Sequence, residues 1–397
     1  MPDFTTALPK AAVVYHAFPH YREGVLRAML ASRRVDYHFL ACDHDPRIAD
    51  MKVFDGWPPG RFTAVPTSHV SFHRSGYSKH GIEGGPLWQK GLTRLALRRD
   101  LSAIVYLGDP YQLSTWVSAT VARLTGKHVL FWTIGWLRPE SGVKALVRVT
   151  FLKIAHTLLL YGSHARQMAI EKGWSPERVV VVSNSLAFDE IRKEKAATPA
   201  DQGRRLRDEW FGEPDVPVAI CISRLTVKRR LDLLVDAVAR LQAQGTRVNV
   251  LLVGEGSSQE ALEAQAKEQG VKVRLHGAAY SAAELARCYS ASAVSVCPGM
   301  SGLTGVQSLA FGVPVVTHGD PWAQSPEFEA IQPPVTGALF KHEDVESLAE
   351  CMAPFVGSPT PSAETQQACW DCVRDRFDPA FQCDLIDTAV LRGVRRK

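Results

Sequence analysis

From Pro298 to Pro314 the chain reads Pro-Gly-Met-Ser-Gly-Leu-Thr-Gly-Val-Gln-Ser-Leu-Ala-Phe-Gly-Val-Pro, and this stretch decides the fold. An apolar run ahead of it, residues 293–297, predicts a buried parallel strand. Residues 303–311 predict a helix, and Gly302 supplies the backbone freedom that a tight turn between strand and helix needs. Because such a turn leaves N–H groups free at the positive end of a helix dipole, the stretch predicts a phosphate site. The alternative is an ordinary strand–turn–helix connection without a ligand.

The composition is that of an ordinary globular protein long enough for two domains. The 397 residues are 46% hydrophobic and 22% charged. No run approaches the ~18 consecutive apolar residues of a spanning helix, and the N-terminus lacks a signal-peptide pattern, so we expect a cytoplasmic protein. The eight cysteines are scattered, as reduced thiols would be. Cys369 and Cys372 have metal-like spacing, but no second pair completes a set of ligands, which favours plain thiols.

Basic residues are concentrated in the first half of the chain. Through Glu190 there are 23 Lys and Arg against 15 Asp and Glu, and the remainder has 23 against 26. This distribution fits an anionic partner of the first half, such as a lipid-phosphate acceptor, an acidic membrane surface or nucleic acid. Residues 86–100 are a candidate membrane contact, with apolar residues on one helical face and Lys90, Arg94 and Arg98 on another. The alternative is an amphipathic helix packed on the sheet.

Apolar strands and amphipathic helices alternate along the chain, as in doubly wound parallel sheets. The alternation runs to residue 190, breaks in a charged, Pro-containing stretch and restarts at residue 216. We therefore predict an α/β protein with Rossmann-like domains at 1–190 and 216–375 and a linker at 191–215. A C-terminal helix at 376–397 is a candidate for packing back on the first domain. Two such sheets are expected to face a shared cleft, which is the default ligand site.

Two arginines follow the first strand of the second domain. Arg224 ends this strand and Arg229 lies in the turn to the next helix, within Ser-Arg-Leu-Thr-Val-Lys-Arg-Arg-Leu-Asp. Gly302 follows another strand of the same sheet, so the arginines and the glycine turn are expected at one edge. Two guanidinium groups there can bind a diphosphate. The alternative is a solvated basic turn.

Four stretches between Val218 and Met352 together resemble the nucleotide-sugar-binding half of the retaining family 4 glycosyltransferases. They are Ser-Arg-Leu with Arg-Arg-Leu-Asp-Leu-Leu, Leu-Leu-Val-Gly-Glu-Gly, Leu-His-Gly, and Cys-Pro through Gly-Val-Pro-Val-Val. Residues 179–186, Val-Val-Val-Val-Ser-Asn-Ser-Leu, are similar to the family's crossing between its domains. The resemblance implies the GT-B fold of two facing Rossmann-like domains. The branch that the chain resembles contains bacterial envelope and capsular polysaccharide transferases.

The resemblance implies a donor site on the second domain and no cofactor. Arg224 and Arg229 would bind the two phosphates of a nucleoside-diphosphate sugar and stabilise the departing diphosphate, in place of a metal ion. The turn at Gly302-Leu303-Thr304 would offer backbone N–H groups and the Thr304 hydroxyl to the β-phosphate and the sugar. The implied donor-binding residues are Arg224, Lys228, Arg229, Gly277, Gly302, Leu303, Thr304 and Gln307.

The chain departs from the family's signature of two glutamates separated by seven residues. Gly299 and Gln307 stand at those positions. Gln307 can still receive ribose hydroxyls, through a neutral hydrogen bond about half as strong as one to a carboxylate. Gly299 has no side chain to replace the first glutamate, and Ile134 and Asp109 stand where many relatives have histidine. Some envelope-polysaccharide relatives share Pro-Gly-x-x-Gly-Leu-Thr, so a branch feature is the alternative to loss of activity.

Candidate acceptor-side residues lie at the ends of strands in the first domain. They are His20, Tyr21, Arg22, Tyr111, Trp132 and Trp136. Asp109 joins Arg224 and Arg229 in the set of candidate catalytic residues. Asp109 directly follows a strand, where its carboxylate could receive the acceptor's proton, and the alternative is a helix cap ahead of Pro110. The tryptophans are either a sugar platform or part of the core.

The resulting hypothesis is a retaining, metal-independent glycosyltransferase in polysaccharide or glycoconjugate biosynthesis. It would move a sugar from a nucleoside-diphosphate sugar to a saccharide or lipid-linked acceptor, in the cytoplasm or peripherally on the inner face of the membrane. One alternative is a catalytically silent scaffold that binds nucleotide sugars. Another is a nucleic-acid-binding protein, which the lack of aromatic–basic repeats or a reading motif disfavours, so no nucleic-acid partner is expected.

Overall fold

The computed structural model describes residues 7–42, 52–69, 86–136 and 138–394. The chain divides into two compact units. Unit 1 comprises residues 1–185 and 379–397, and unit 2 comprises residues 186–378. Each unit is built on its own parallel sheet.

Unit 1 contains a seven-stranded parallel sheet and a separate two-stranded antiparallel ribbon. In chain order its first elements are β1 (Lys10–Val14), α1 (Glu23–Leu30), β2 (Asp36–Cys42), β3 (Phe62–Val65), β4 (Thr67–His69), β5 (Leu87–Gln89), α2 (Leu92–Leu97), β6 (Leu101–Leu107), α3 (Leu113–Leu124), β7 (His128–Thr133), α4 (Gly142–Leu152), β8 (Thr157–Leu160), α5 (Ser163–Glu171) and β9 (Val179–Val181). The strand order in the large sheet is β3-β2-β1-β6-β7-β8-β9. Its central strands are almost continuously apolar and buried, as expected for strands with both faces covered.

Unit 2 contains a six-stranded parallel sheet with the order β12-β11-β10-β13-β14-β15. Its elements are α6 (Phe188–Ala197), α7 (Gln202–Phe211), β10 (Val218–Ile222), α8 (Leu231–Ala243), β11 (Asn249–Val253), α9 (Gln259–Gln269), β12 (Val273–Gly277), α10 (Ala282–Ser290), β13 (Val294–Cys297), α11 (Gly302–Phe311), β14 (Val315–His318), β15 (Gly337–Phe340), α12 (Val345–Met352) and α13 (Ala363–Arg374). A final helix, α14 (Pro379–Val394), returns to unit 1, where Ile386 and Val390 join the core beside β1.

Alternating residues of the unit 2 strands enter two separate cores, one on each face of the sheet. Ala219 and Cys221 pack with α8 and α12, whereas Val218 and Ile220 pack with α10, α11 and α13. The strands therefore need apolar residues at every position. Helices on both faces give the doubly wound arrangement that the sequence predicts.

The charged stretch at 191–215, which the sequence predicts as a linker, instead forms most of α6 and all of α7 within unit 2. Ile191 and Leu206 are buried there, and Arg207 is buried with its guanidinium donating to the carbonyl oxygens of Pro214, Ala291 and Pro359. Arg207 thus occupies a buried position of α7 that an apolar residue would normally fill. The sequence therefore lacks the apolar pattern that would have indicated the buried face of this helix.

Residues 86–100 do not form the single amphipathic helix that the sequence predicts. β5 pairs with β4, and Gly91, in a left-handed conformation with φ of 87°, separates this strand from the six-residue α2. Leu92, Leu95 and Ala96 are buried, with α2 packed against α3. The apolar face considered for a membrane is therefore used inside unit 1. None of the helices in the described ranges is long and apolar enough to cross a membrane.

Candidate functional site

The glycine turn between β13 and α11 borders a cavity of about 160 Å³, which we call the α11 cavity. β13 ends at Cys297, and α11 begins at Gly302, whose φ of 56° is in the left-handed region. The cavity is lined by Cys221, Ile222, Ser223, Arg229, Cys297, Gly299, Met300, Ser301, Gly302, Leu303 and Thr304. It lies at the carboxyl edge of the unit 2 sheet, the edge at which the strands end and ligands of open α/β sheets bind.

Arg229 is fixed to the glycine turn by two hydrogen bonds. Its Nη1 donates to the carbonyl oxygen of Met300 at 2.8 Å, and its own carbonyl accepts from the amide of Gly299 at 3.1 Å. The residue ends a single turn of 3₁₀ helix, Val227–Arg229, that connects β10 to α8. Because one of its nitrogens is held by the backbone, the half-buried guanidinium is positioned before any ligand arrives.

The backbone amides at the start of α11 are only partly free. The amide of Ser301 donates to Oε1 of Gln324 at 3.0 Å, and the amide of Gly302 donates to Oγ of Ser325 at 2.7 Å. The sequence predicts Gly302 as a donor to a ligand, and this structure assigns its amide to Ser325 instead. The amides of Leu303 and Thr304 have no hydrogen-bond acceptor within the part of the chain that the structure describes. These two amides are the donors left for an anion at the positive end of α11.

Gln324 braces the turn and has no signal in the sequence. The side chain is buried, and its Nε2 donates to the carbonyl oxygens of Gly299 and His318, both at 3.2 Å, and to Oγ1 of Thr317 at 2.7 Å. Through Oε1 it also accepts from Ser301. Since it lies in the loop after β14, far from the turn along the chain, sequence reasoning misses it.

Gly299 cannot carry a side chain with the surrounding backbone in this position. A Cβ atom there would lie 2.8 Å from the carbonyl oxygen of Lys228 and 3.1 Å from Cα of Arg229. The position at which the resembled family has a glutamate is thus occupied by the backbone that positions Arg229. In this chain, Gly299 is what lets the β13–α11 turn approach the β10–α8 turn.

Two thiols form the floor of the α11 cavity. Cys221 and Cys297 are both buried, and Oγ of Ser223 lies 3.8 Å from Sγ of Cys221. The contact with Cys221, together with burial, raises the pKa of the Cys297 thiol well above its ordinary value. The protonated thiol of Cys297 adds no negative charge to oppose an anion, whereas the same contact lowers the pKa of Cys221.

The other predicted donor residues are not in contact with the cavity. Arg224 is exposed and does not line the cavity, whereas the next residue, Leu225, is fully buried. Lys228 is also exposed beside the cavity. Gly277 ends β12 and accepts from the amide of Gly254 at 2.7 Å. Gln307 is half-buried on α11, one turn beyond Thr304. The structure thus brings Arg229, Gly302, Leu303 and Thr304 together, without Arg224.

The predicted acceptor-side residues of the first loop differ in exposure. Tyr21 is 53% exposed, and His20 is exposed with its Nδ1 3.1 Å from the carboxylate of Glu23. Arg22, by contrast, is buried. The three residues form a single 3₁₀ turn ahead of α1.

Asp109 braces a turn after β6, and the two tryptophans belong to the interior. Oδ1 of Asp109 accepts from the amide of Tyr111 at 3.0 Å, and Tyr111 itself is exposed. α3 begins after Gln112, so Asp109 is not its N-cap. Trp132 and Trp136 are 1% and 4% exposed, so neither offers a face to a sugar in this structure.

Part of unit 2 matches a known sequence-family model. Residues 216–356 match the family model described as "Glycosyl transferases group 1". This range begins just before β10 and ends after α12, and it contains the entire α11 cavity. No curated protein matches the chain.

Solved structures match nearly the whole chain. They include the apo form of the lipopolysaccharide outer core galactosyltransferase WaaB (14% identity, 96% of this chain and 99% of that one, TM-score 0.66). Alr3699/HepE of Anabaena in complex with UDP (15%, 97% and 100%, 0.67) and a glycosyltransferase from Rickettsia africae (12%, 99% and 100%, 0.68) are also similar. At these identities the likeness shows the fold alone, and the predicted GT-B fold is confirmed.

The α11 cavity therefore combines one fixed guanidinium, two unused amides and the hydroxyl of Thr304 around a small space. These groups are all donors, arranged at the positive end of a helix. Such a set suits a phosphate or diphosphate group and provides no carboxylate for proton transfer or metal binding among its lining residues.

Proposed function

We propose that the protein is a retaining glycosyltransferase that uses a nucleoside-diphosphate sugar. The observation that carries the proposal is the meeting of Arg229 with the free amides of Leu303 and Thr304 at one cavity. The family match over the same residues supports it. Since HepE was solved with UDP, a UDP-sugar is the first donor to test.

In this proposal the diphosphate lies in the α11 cavity with the sugar beyond it. Arg229 and the two amides would stabilise the negative charge that grows on the leaving diphosphate, a task that a metal ion performs in other transferases. Lys228 and Arg224, both exposed near the cavity, would add positive charge at longer range. Gly277 and Gln307 would contact the nucleoside. Turnover that survives a chelator of divalent cations would support the metal-independent form, and loss of turnover would contradict it.

Retention follows if the acceptor attacks from the face that the diphosphate leaves. The acceptor oxygen bonds to the anomeric carbon, the bond from that carbon to the phosphate oxygen breaks, and the diphosphate departs with the electron pair. The acceptor's proton passes to a phosphate oxygen of the leaving group. Asp109 is a second candidate for receiving this proton, because a carboxylate whose Oδ1 accepts from the Tyr111 amide keeps further lone pairs. The anomeric configuration of the product, read by NMR, distinguishes retention from inversion.

The acceptor is proposed to be a saccharide or lipid-linked saccharide bound at the carboxyl edge of the unit 1 sheet. Tyr21, Tyr111 and His20 are the exposed predicted residues there. The exposed tyrosine rings can pack on sugar faces, whereas Trp132 and Trp136 can act only by supporting the edge from beneath.

A peripheral membrane contact is proposed through α4 rather than through residues 86–100. Val143, Leu146 and Val147 share one face of α4 and are 77%, 65% and 44% exposed, and the exposed Lys144 lies among them. An apolar face with one exposed lysine, here 3.7 Å from the carboxylate of Glu140, suits a membrane surface. Leu146→Glu should reduce sedimentation with vesicles that contain anionic lipid, and equal sedimentation would reject the contact.

The competing function is a scaffold that binds the donor without turning it over. Gly299 is the specific reason to consider it, because the residue leaves no carboxylate beside the sugar. The tight packing of Gly299 on Lys228 and Arg229 indicates that the glycine is required by the packing of the two turns, which favours an active site that works without this glutamate.

Thermal-shift measurements with UDP-, GDP- and ADP-sugars test the proposal. A saturable increase in Tm with one donor, followed by transfer of its labelled sugar to cell-envelope lipid extracts, is the expected result. Stabilisation without transfer or donor hydrolysis would favour the scaffold. The absence of any stabilising nucleotide sugar would overturn both.

A further inference from the structure

A buried guanidinium lies at the carboxyl edge of the unit 1 sheet, inside a set of aromatic rings. Arg22 is 9% exposed, and its Cζ lies 4.7 Å from the ring centre of Tyr15, 4.8 Å from that of Trp132 and 5.6 Å from that of Tyr161. Tyr15 directly follows β1, Trp132 lies near the end of β7, and Tyr161 directly follows β8. We call these four side chains the Arg22 cage.

The cage leaves most of the arginine's donors unused. Nη2 donates to the hydroxyl of Tyr161, but Nε and Nη1 are shielded from solvent and have no acceptor in the described residues. Glu23, the adjacent carboxylate, is engaged with Arg27 and His20 instead. Burial raises the pKa of both Tyr15 and Tyr161, so neither phenol supplies a negative charge. The guanidinium is thus charged, buried and without a counter-ion in the described part of the chain.

Such an arrangement is costly to a free protein. Aromatic faces attract a guanidinium, but they do not replace the hydrogen bonds that its N–H groups lose on leaving water. A buried charge with vacant donors is typical of a site that a ligand completes. The position supports this interpretation, because the cage lies at the edge where open parallel sheets bind ligands and at the positive end of α1.

We propose that the Arg22 cage binds a carboxylate or phosphoryl group of the acceptor. The identification of the ligand as an acceptor rests on the proposed function, whereas the anion site does not. Nε and Nη1 would donate to two oxygens of the anion in the side-by-side geometry that arginine favours. The transferase would then select acidic acceptors, such as a uronic acid residue or a sugar linked through a phosphate.

The anion can enter when the 3₁₀ turn that carries Arg22 shifts. This turn consists of three residues, and the neighbouring Tyr21 and His20 are exposed. The aromatic rings, in contrast, are anchored on β1, β7 and β8 and belong to the core. Entry therefore needs this short turn to move and the amide of His20 to release the carbonyl of Lys52.

Thermal shift at constant ionic strength tests the site with two probes, glucuronate for the carboxylate and inorganic phosphate for the phosphoryl group, with glucose as the neutral control. Wild type should show a saturable increase in Tm with one of the acidic probes. Arg22→Met should weaken that binding at least about tenfold, the loss of one charge-assisted contact. Because phosphate can also enter the α11 cavity, the titration is repeated in Arg229→Met, where the Arg22-dependent response should persist.

The same variant separates a ligand site from a structural charge. Without a ligand, Arg22→Met should be at least as stable as wild type to urea. The substitution removes an uncompensated buried charge and fills the space with an apolar side chain. A large loss of stability in both Arg22→Met and Arg22→Lys would show that the cage is structural and would overturn the proposal. Equal responses of wild type and Arg22→Met to both probes, or no response in wild type, would do the same.

Failure of this proposal is distinguishable from failure of the proposed function. Nucleoside diphosphate should stabilise Arg22→Met as much as it stabilises wild type, because the α11 cavity lies in unit 2. If the diphosphate stabilises both proteins while neither acidic probe acts through Arg22, only the acidic acceptor is rejected.

Discussion

The carboxyl edges of the two parallel sheets carry positive groups of opposite construction. In unit 2 the α11 cavity is small and open, and its donors are backbone amides and one arginine that the backbone holds in place. In unit 1 the Arg22 cage is closed, and the guanidinium is held by aromatic faces and by one hydrogen bond to the Tyr161 hydroxyl. The first edge is prepared for an anion before binding, whereas the second must move to accept one.

Because of this difference, we expect the two edges to respond differently to mutation. A site made of backbone groups depends on the residues that fix the turn, since every substitution except that by proline keeps the backbone N–H. A site made of one side chain depends on that residue directly. The variants below test the unit 2 half of the comparison, in order of expected effect.

Removing Arg229, the one charged side chain that the described residues contribute to the lining of the α11 cavity, should have the largest effect. Arg229→Met is expected to lower kcat by about 10²–10³, the typical loss when one stabilising donor is removed from a developing oxyanion. Steady-state transfer assays measure this, with the exposed Arg205→Met on α7 as a control. Arg224→Met should cost less than Arg229→Met, because Arg224 does not line the cavity. Unchanged turnover in Arg229→Met would break the comparison.

Removing the brace should damage the unit 2 edge without touching the ligand. Gln324→Met removes Oε1, the acceptor for the amides of Ser301 and Ser325, and leaves the carbonyl of Gly299 only its longer contact with Oγ1 of Thr317. Each unsatisfied buried group costs about 1–3 kcal/mol, so urea unfolding should show a loss of about 3 kcal/mol and weaker nucleotide binding. The exposed Gln367→Met on α13 is the matched control. Normal stability and binding in Gln324→Met would show that the β13–α11 turn keeps its conformation without Gln324.

Acid should weaken the same edge through His318, whose carbonyl accepts from Gln324. Burial, with the adjacent His342, lowers the pKa of His318 to about 4, against about 6.5 in an unfolded chain. The unfolded chain then binds the proton first, so stability is lost as the pH falls below about 6.5, by roughly 2 kcal/mol at pH 5. Urea unfolding against pH should show a shallower fall in His318→Phe. An identical pH profile in that variant would reject the assignment.

Adding a single methyl group at Gly299 tests whether the close approach of the two turns is needed for stability and nucleotide binding. Gly299→Ala places a Cβ against the backbone of Lys228 and Arg229 and should cost about 1–3 kcal/mol by overpacking. It should also weaken nucleotide binding, because the two turns must separate. Gly357→Ala, where a Cβ meets nothing within 4 Å, controls for the loss of glycine. Equal stability of the two variants would show that the close approach is unimportant.

The unit 2 edge was largely predictable because its signals are local. The apolar run of β13, the glycine at 302 and the Gly-Val-Pro after α11 each determine a backbone conformation within a few residues. Arg229 was predictable because it lies in the turn that leaves β10. The exposure of Arg224 next to the buried Leu225 and the brace from Gln324 both depend on tertiary packing, so neither has a local signal.

The unit 1 edge was harder to predict because its strands are buried on both faces. When every position in a strand is apolar, the sequence does not say which residues face the edge and which fill the core. Trp132 illustrates this, since it was a candidate sugar platform and lies 1% exposed in the core. Arg22 was a candidate as one polar residue of a loop, but its burial among rings from β1, β7 and β8 depends on strand order.

Hydrogen–deuterium exchange is the most direct test of whether a nucleoside diphosphate binds to the amides at the start of α11. Peptides covering residues 298–311 are followed with and without saturating UDP or the donor identified by thermal shift. The account predicts slower exchange confined to the first turn of α11, at Leu303 and Thr304, and no change after β1 in unit 1. Unchanged exchange at these two amides, with the ligand demonstrably bound, would contradict it.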